Sequence, residues 1–231
     1  MKYSIVMPYL NRAPQLRETL LSFTKFYRER NDYEVVLIED DKQTTEMTLS
    51  LFELLDEFRS RITIVHKRSE AKNAHNPATA YNEGAFLSTG KYIILTSPEC
   101  RHEVNLLSEF DKELELEPDG YIVCACKALK QNGKMHMWYQ HSVERNLKYH
   151  FCTVINRRNY IKIGGFDERY TPGWGYDDNS FIFKVTQSGV PISVRDDLLV
   201  SHQWHEKTQP SNYRLLLKRN RNLFEKEVLG A

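Results

Sequence analysis

Two hydrophobic rhythms alternate along the first half of the chain. Lys2 to Met7 is a β-branched, apolar run that stops at Pro8. From Ala13 to about Arg30 the apolar residues Leu16, Leu20, Phe23 and Tyr27 recur every three or four positions, which predicts a helix with Pro14 in its first turn. Glu34 to Ile38 is a second buried strand, running into Glu39-Asp40-Asp41. Thr44 to Phe58 has helical spacing again, Ile62 to Val65 is a third strand, and Pro77 to Leu87 a third helix closed by Gly90. A fourth strand, Tyr92 to Thr96, meets Pro98. Strand-helix repeated three times and ended on a strand predicts an α/β fold with a Rossmann-like, mainly parallel central sheet flanked by helices. In such sheets ligands bind beyond the carboxyl ends of the strands. Those ends carry Pro8-Tyr9, Glu39-Asp40-Asp41 and Ser97-Pro98-Glu99.

The second half has a different texture. A helix rich in acids is expected from Glu103 to Glu117 and a strand from Tyr121 to Leu129, turning as a hairpin at Gln131-Asn132-Gly133-Lys134. A short strand spans Phe151 to Asn156, then come two turn-rich stretches, Gly164-Gly165-Phe166-Asp167 and Thr171-Pro172-Gly173-Trp174-Gly175. A helix resumes at Asp177 and stops at Gly189. No internal repeat or linker divides the chain, so one domain is expected over 1–206. Its nucleotide-type half is 1–100 and its loop-rich half 101–206, followed by a basic helical tail, 207–231.

Composition removes several function classes. The 231 residues carry 32 Lys and Arg against 31 Asp and Glu, a net charge of +1. That balance supplies no global positive field for nucleic acid. No apolar run approaches the roughly 20 residues of a membrane-spanning helix. The opening residues lack the apolar length and small-residue cleavage site of a signal peptide, so a cytoplasmic protein is expected. Cys100, Cys124, Cys126 and Cys152 have neither zinc-finger nor disulfide spacing and read as reduced core residues. Cys124 and Cys126 would share one strand face.

Two clusters carry chemistry. In Gly164-Gly165-Phe166-Asp167-Glu168 and Pro172-Gly173-Trp174-Gly175-Tyr176-Asp177-Asp178, glycines flank a Trp that could meet a flat ligand such as a sugar. Two carboxylates open the following helix, where its dipole orients them; one of them could serve simply as a cap. Glu99, His102, His202 and His205 together form a ligand set suited to Mn²⁺ or Mg²⁺ when phosphate oxygens complete the shell.

Four stretches resemble family 2 glycosyltransferases of the GT-A fold, from about Tyr3 to His205. Ser4 to Arg12 resembles the opening strand and donor-pocket turn. Glu34 to Asp40 resembles the strand whose final acid holds the uracil ring. Asn76 to Gly84, with Gly90 to Leu95, resembles the helix and strand before the metal motif, and Gly164 to Phe181 resembles the Gly-Gly-Phe-Asp-Glu and Gly-Trp-Gly-x-Glu-Asp segment. Two departures stand out. The usual Asp-x-Asp is Ser97-Pro98-Glu99, a variant that some members follow with a His three residues on. The Glu-Asp pair is Asp177-Asp178. Tyr81 also stands where an Arg often helps bind the nucleotide.

The resemblance implies inverting transfer of a sugar from a nucleotide-diphosphate sugar, a UDP-sugar above all, to a hydroxyl of a glycan or lipid-linked acceptor. It implies Asp178 as general base, Asp177 holding acceptor or donor hydroxyls, and Pro8, Tyr9, Asn11, Arg12, Asp40, Asn82 and Ser97 around the donor. It assigns the metal to Glu99, His202 and His102, with His205 able to substitute, and the acceptor to Trp174, Gly173 and Gly175. A catalytically inactive nucleotide-sugar or glycan binder on the same fold is the alternative, favoured by Ser97. A sugar-nucleotide pyrophosphorylase would need a Gly-rich loop after the first strand, which Pro8 to Arg12 lacks. The tail from Lys207 to Ala231 sums to +4, from Lys207, Arg214, Lys218, Arg219, Arg221 and Lys226 against Glu225 and Glu227. Either a solvated or dimer-forming helix, or weak attraction to the inner face of an anionic membrane, follows from that charge.

Overall fold

The computed structural model describes residues 1–72, 74–144, 148–206 and 209–230. Its first half is β1 (Tyr3–Tyr9), α1 (Ala13–Phe26), β2 (Tyr33–Glu39), α2 (Thr45–Phe58), β3 (Ile64–Arg68), α3 (Ala78–Leu87) and β4 (Tyr92–Thr96). Thr44 caps α2 by accepting from the Met47 amide, the local reason that helix starts there. The second half comprises β5 (Cys100–His102), α4 (Leu106–Leu116), β6 (Tyr121–Leu129), β7 (Met135–Tyr139), β8 (Cys152–Asn156), α5 (Arg157–Lys162), α6 (Asp177–Gln187), β9 (Ile192–His202) and α7 (Tyr213–Leu229).

All the strands join one sheet in the order β3-β2-β1-β4-β8-β6-β9-β5, with β7 paired to β6. β1 to β4 run parallel, as the strand-helix alternation requires. β8, β7 and β5 enter antiparallel to their neighbours, while β9 runs parallel to β6. The result is a mixed sheet whose parallel part is the nucleotide-type half.

Alternation along each strand sorts the core into two layers. Tyr3, Ile5, Met7, Val35, Leu37, Cys124 and Cys126 face one side, against Leu16, Leu20 and Phe23 of α1, Leu51, Leu55 and Phe58 of α2 and Phe110 of α4. Val6, Val36, Ile38, Ile93, Leu95 and Val123 face the other, against Ala78 and Tyr81 of α3, Tyr160 of α5 and Phe181 of α6. All four cysteines are free and buried on the first side, and Cys124 and Cys126 do share one face.

The differences from the sequence reading have local causes. α1 ends at Phe26 rather than near Arg30, and β3 sits two residues later than its apolar run. The hydrophobic pattern does not reveal β9 (Ile192–His202), because Arg195, Asp196 and Asp197 interrupt it. The β6–β9 register jumps from Cys124↔Arg195 to Ala125↔Leu199, so the polar residues fall in a bulge. There Asp196 accepts from the backbone amides of His141 and Ser142.

Candidate active site

The carboxyl ends of β1, β2 and β4 open into a cleft of about 1570 Å³, lined by Pro8, Tyr9, Asn11, Arg12, Asp40, Ser97, Glu99, Trp174, His202 and His205. The chain leaves β1 through Asn11 in the left-handed region at φ 47°, a conformation Asn tolerates better than most residues. That turn aims Arg12 across the cleft, where its Nε donates to Oε1 of Glu99 at 2.7 Å. At the other end, Oδ1 of Asp40 accepts from the Lys42 amide at 2.9 Å, and burial raises the Asp40 carboxyl above its ordinary value. Lys42 and His75 line the same end and were not legible in the sequence. Burial, then the Lys42 charge, lowers the His75 imidazole, which favours its neutral form.

Glu99 and His202 stand far apart in sequence but meet because β5 pairs antiparallel to β9, with Cys100 opposite His202. The Gln203 amide donates to the Glu99 carbonyl at 2.8 Å. His205 Nε2 lies 3.8 Å from Glu99 Oε1, and the His202 and His205 rings are 5.4 Å apart. Burial holds the His202 imidazole below its ordinary value, in the neutral form a metal requires. One carboxylate and two imidazoles facing one cleft fit a divalent cation chemically. Among the described residues no three such groups already converge on a metal-sized point.

His102 does not belong to this set. It alternates with Arg101 on β5 and points into the core, 1% exposed. Its Nδ1 meets the Tyr27 hydroxyl, its Nε2 lies 3.7 Å from Cys152 Sγ, and its ring packs on Phe23 at 4.7 Å. Both nitrogens are engaged away from the cleft.

Asn82 is a second correction. Its Oδ1 accepts from the Tyr160 hydroxyl (2.7 Å) and the Phe166 amide (2.9 Å), while its Nδ2 donates to the Phe166 carbonyl (2.9 Å) and Glu168 (2.8 Å). A carboxamide with two bonds on each end has no capacity left for a nucleotide. It staples α3 to the Gly164–Asp167 loop. Tyr81 is likewise a core residue, 4% exposed, with its hydroxyl donating to the Thr96 carbonyl and its ring stacked on Phe166.

Asp177 and Asp178 open α6 after Tyr176, which adopts φ 65°. Asp177 is buried, and burial followed by the adjacent Asp178 charge pushes its carboxyl up to about 7. Asp178 is half-exposed, and its Oδ1 lies 3.0 Å from Nε2 of the buried His150. The two acids do not line the cleft directly. They connect to it through Tyr81, whose ring packs edge-on to His150 at 5.1 Å. His150 gave no signal in the sequence, because it lies outside both motif clusters.

The glycines beside Trp174 have packing and backbone roles. A Cβ on Gly173 would lie 1.9 Å from Oδ1 of Asn220, and Gly175 adopts φ +63°. The fully buried Asn220, from α7, donates to the carbonyls of Tyr170 (3.0 Å) and Gly175 (2.8 Å). Glu227, two turns on, accepts from the Tyr170 hydroxyl (2.6 Å) and from Ser180 (2.9 Å). The tail helix is therefore docked on the loop that carries Trp174; Gly173 makes room for it, and Gly175 supplies the positive φ of the turn. Their signal was present: Leu216, Asn220, Leu223 and Glu227 recur at helical spacing, with two polar residues on the inward stripe. Lys207 and Ala231, at the ends of the tail, lie outside the described residues.

A twisted mixed sheet with its ligand cleft over the ends of the parallel strands defines the chain as a GT-A type α/β protein. The sequence profile of glycosyl transferase family 2 matches residues 4–176, and the chain belongs to that family. No curated protein sequence matches the chain. Solved structures share its fold at low identity. S. aureus TarS 1-349 in complex with UDP-GlcNAc superimposes with a TM-score of 0.75 at 15% identity, over 95% of this chain and 65% of that one. The mannosyltransferase PcManGT from Pyrobaculum calidifontis, in complex with GDP-Man and Mn²⁺, gives 0.67 at 17% identity, over 95% and 60%. GalNAc-T7 with UDP, GalNAc and Mn²⁺ gives 0.71 at 16%, over 91% and 45%. The chain thus spans about two thirds or less of the length of these structures.

Proposed function

We propose that the protein transfers a sugar with inversion from a nucleotide-diphosphate sugar, a UDP-sugar, to a hydroxyl of a glycan or lipid-linked acceptor. The observation that carries this reading is that Asp40, Arg12, Glu99 and His202 meet in one cleft over the strand ends, with a half-exposed carboxylate, Asp178, behind the Tyr81 and His150 rings. Family membership and neighbours complexed with UDP-GlcNAc and GDP-Man support it.

Asp40 at the end of β2 holds the base, with Pro8, Tyr9 and Ser97 lining the donor site. Glu99, His202 and His205 hold Mn²⁺ or Mg²⁺, which when bound neutralises charge on the departing diphosphate. Arg12 is placed to exchange Glu99 for a phosphate oxygen. Trp174 offers its ring to a sugar. Asp178 takes the proton of the acceptor hydroxyl as that oxygen bonds to the anomeric carbon. The bond from that carbon to the diphosphate breaks, and its electron pair leaves on phosphate.

A screen of UDP- and GDP-sugars by thermal shift and by nucleotide release, with and without Mn²⁺, tests this directly. Shift and release that both depend on Mn²⁺ are the expected result. Binding without release from any donor would instead support an inactive binder, the reading that Ser97 and the Arg12–Glu99 pair favour. Glu99→Gln or His202→Ala should raise the Mn²⁺ concentration for half-maximal activity about tenfold or more. An unchanged metal requirement in both would remove the assignment.

Membrane contact is a further part of the proposal. Among the described residues no helix is long and apolar enough to cross a membrane. α7 presents Arg214, Leu215, Lys218 and Arg221 to solvent, a combination that favours an anionic surface such as the inner face of a membrane. Sedimentation with anionic vesicles, weakened by salt, is expected. Equal binding to neutral vesicles would count against it.

A further inference from the structure

His150 lies in a box of aromatic rings, edge-on to Tyr81 at 5.1 Å, Phe166 at 4.9 Å and Phe181 at 6.0 Å. It is 7% exposed, and its Nδ1 is buried with no hydrogen-bond partner among the described residues. Filling such a box with imidazole is expensive, because a buried polar atom without a partner loses its hydration for nothing. A Phe or Leu would fill it at lower cost. What only a polar side chain supplies is the contact at 3.0 Å between Nε2 and Oδ1 of Asp178. An ionised carboxylate can only accept, so the hydrogen of this bond sits on Nε2.

We propose that His150 is the positioning residue of the catalytic base, its Nε2–H holding Oδ1 of Asp178 so that Oδ2 is the oxygen presented to the acceptor hydroxyl. This rests on the reading of Asp178 as the base. The aromatic walls fix the imidazole plane, and the imidazole fixes the carboxylate. The arrangement is a catalytic pair in which histidine orients and carboxylate reacts, the reverse of the usual assignment in hydrolases. The ionisable groups that face His150 are Asp178 and Asp177 from α6 and Tyr81 from α3. Burial by itself would lower the imidazole, but the Asp178 charge and hydrogen bond, with Asp177, outweigh it and raise His150 above its ordinary value. The charge on this imidazole in turn lowers the Asp177 carboxyl, against the burial that raises it.

Two variants test the proposal, with UDP and Mn²⁺ as the binding probe and the UDP-sugar found by the screen as donor. His150→Phe fills the box without a donor; His150→Gln keeps an N–H but no charge. His150→Phe is expected to retain UDP binding and donor KM within about twofold while kcat falls about 100-fold. The Asp177 carboxyl, which the His150 charge lowers, should titrate at higher pH in this variant. His150→Gln should recover part of kcat. Should His150→Phe fail to fold, the kcat and Asp177 titration of His150→Gln decide. Wild-type kcat and titration in the variants, with Asp178→Asn inactive, would make His150 a filler and overturn the proposal. Activity retained by Asp178→Asn would instead sink the base reading itself.

Discussion

Asp178→Asn is expected to abolish transfer, lowering kcat by about 10²–10⁴-fold, while the UDP complex with Mn²⁺ forms with unchanged affinity. The substitution is nearly isosteric and keeps the oxygen that His150 addresses, so the fold of α6 has little reason to change. What it removes is the only property an inverting reaction needs at this point, a basic oxygen on the acceptor side. Asp177 cannot take over. It is 6% exposed, so its oxygens are closed to an acceptor hydroxyl. The measurement is kcat for transfer against UDP affinity by calorimetry, in parallel. Substantial transfer by Asp178→Asn would move the base elsewhere in the cleft.

Gly173→Ala is the second large effect, and it acts on stability. The new Cβ would overlap Oδ1 of Asn220, whose carboxamide is fixed by the carbonyls of Tyr170 and Gly175 and by Arg219. Neither partner can retreat without breaking a buried bond. Overpacking of this kind costs about 1–3 kcal/mol, and loss of Asn220 bonds adds to it, each orphaned carbonyl costing about 1–3 kcal/mol. In a chain of this length each kcal/mol lowers Tm by about 2–4 °C, so with one such bond lost, about 2–6 kcal/mol in all, a drop of about 4–24 °C is expected. Asn220→Ala should destabilise comparably. Because both substitutions act on one contact, the double variant should lose markedly less than the sum. Additive losses in the cycle would mean that Asn220 does not occupy the space that Gly173 leaves. Since the Trp174 amide donates to the Leu216 carbonyl of the same helix at 3.3 Å, these variants should also disturb the acceptor side before they unfold the protein.

The divided legibility of the site follows from side-chain parity. Pro8, Asp40, Ser97 and Glu99 could be placed from sequence because a parallel sheet delivers the residues after each strand to one edge, whatever the details of packing. His102 could not. It lies on the three-residue β5, and whether its side chain enters the cleft or the core depends on how that strand pairs with β9. A one-residue change in register would exchange Arg101 and His102 between the two faces. The resemblance put Asn82 at the donor, but an amide inside α3 is equally suited to a ligand and to a loop. Only the positions of Tyr160 and Phe166 decide between them.

Periodicity and charge along the chain by themselves determined the strand-helix alternation, the reduced cysteines on one strand face, the acidic strand ends and the basic tail. These are consequences of local backbone geometry and of apolar burial, which act over a few residues at a time. Tertiary structure decided what each polar group in those places can do. It spent Asn82 and His102 on the interior, joined Glu99 to His202 through an antiparallel pairing, set the unheralded His150 on Asp178, and docked the tail on the Gly-Trp-Gly loop through Asn220. The physical reason is that a hydrogen-bonding group has a fixed capacity. Whether that capacity remains for a ligand depends on neighbours from distant parts of the chain, which no local pattern specifies.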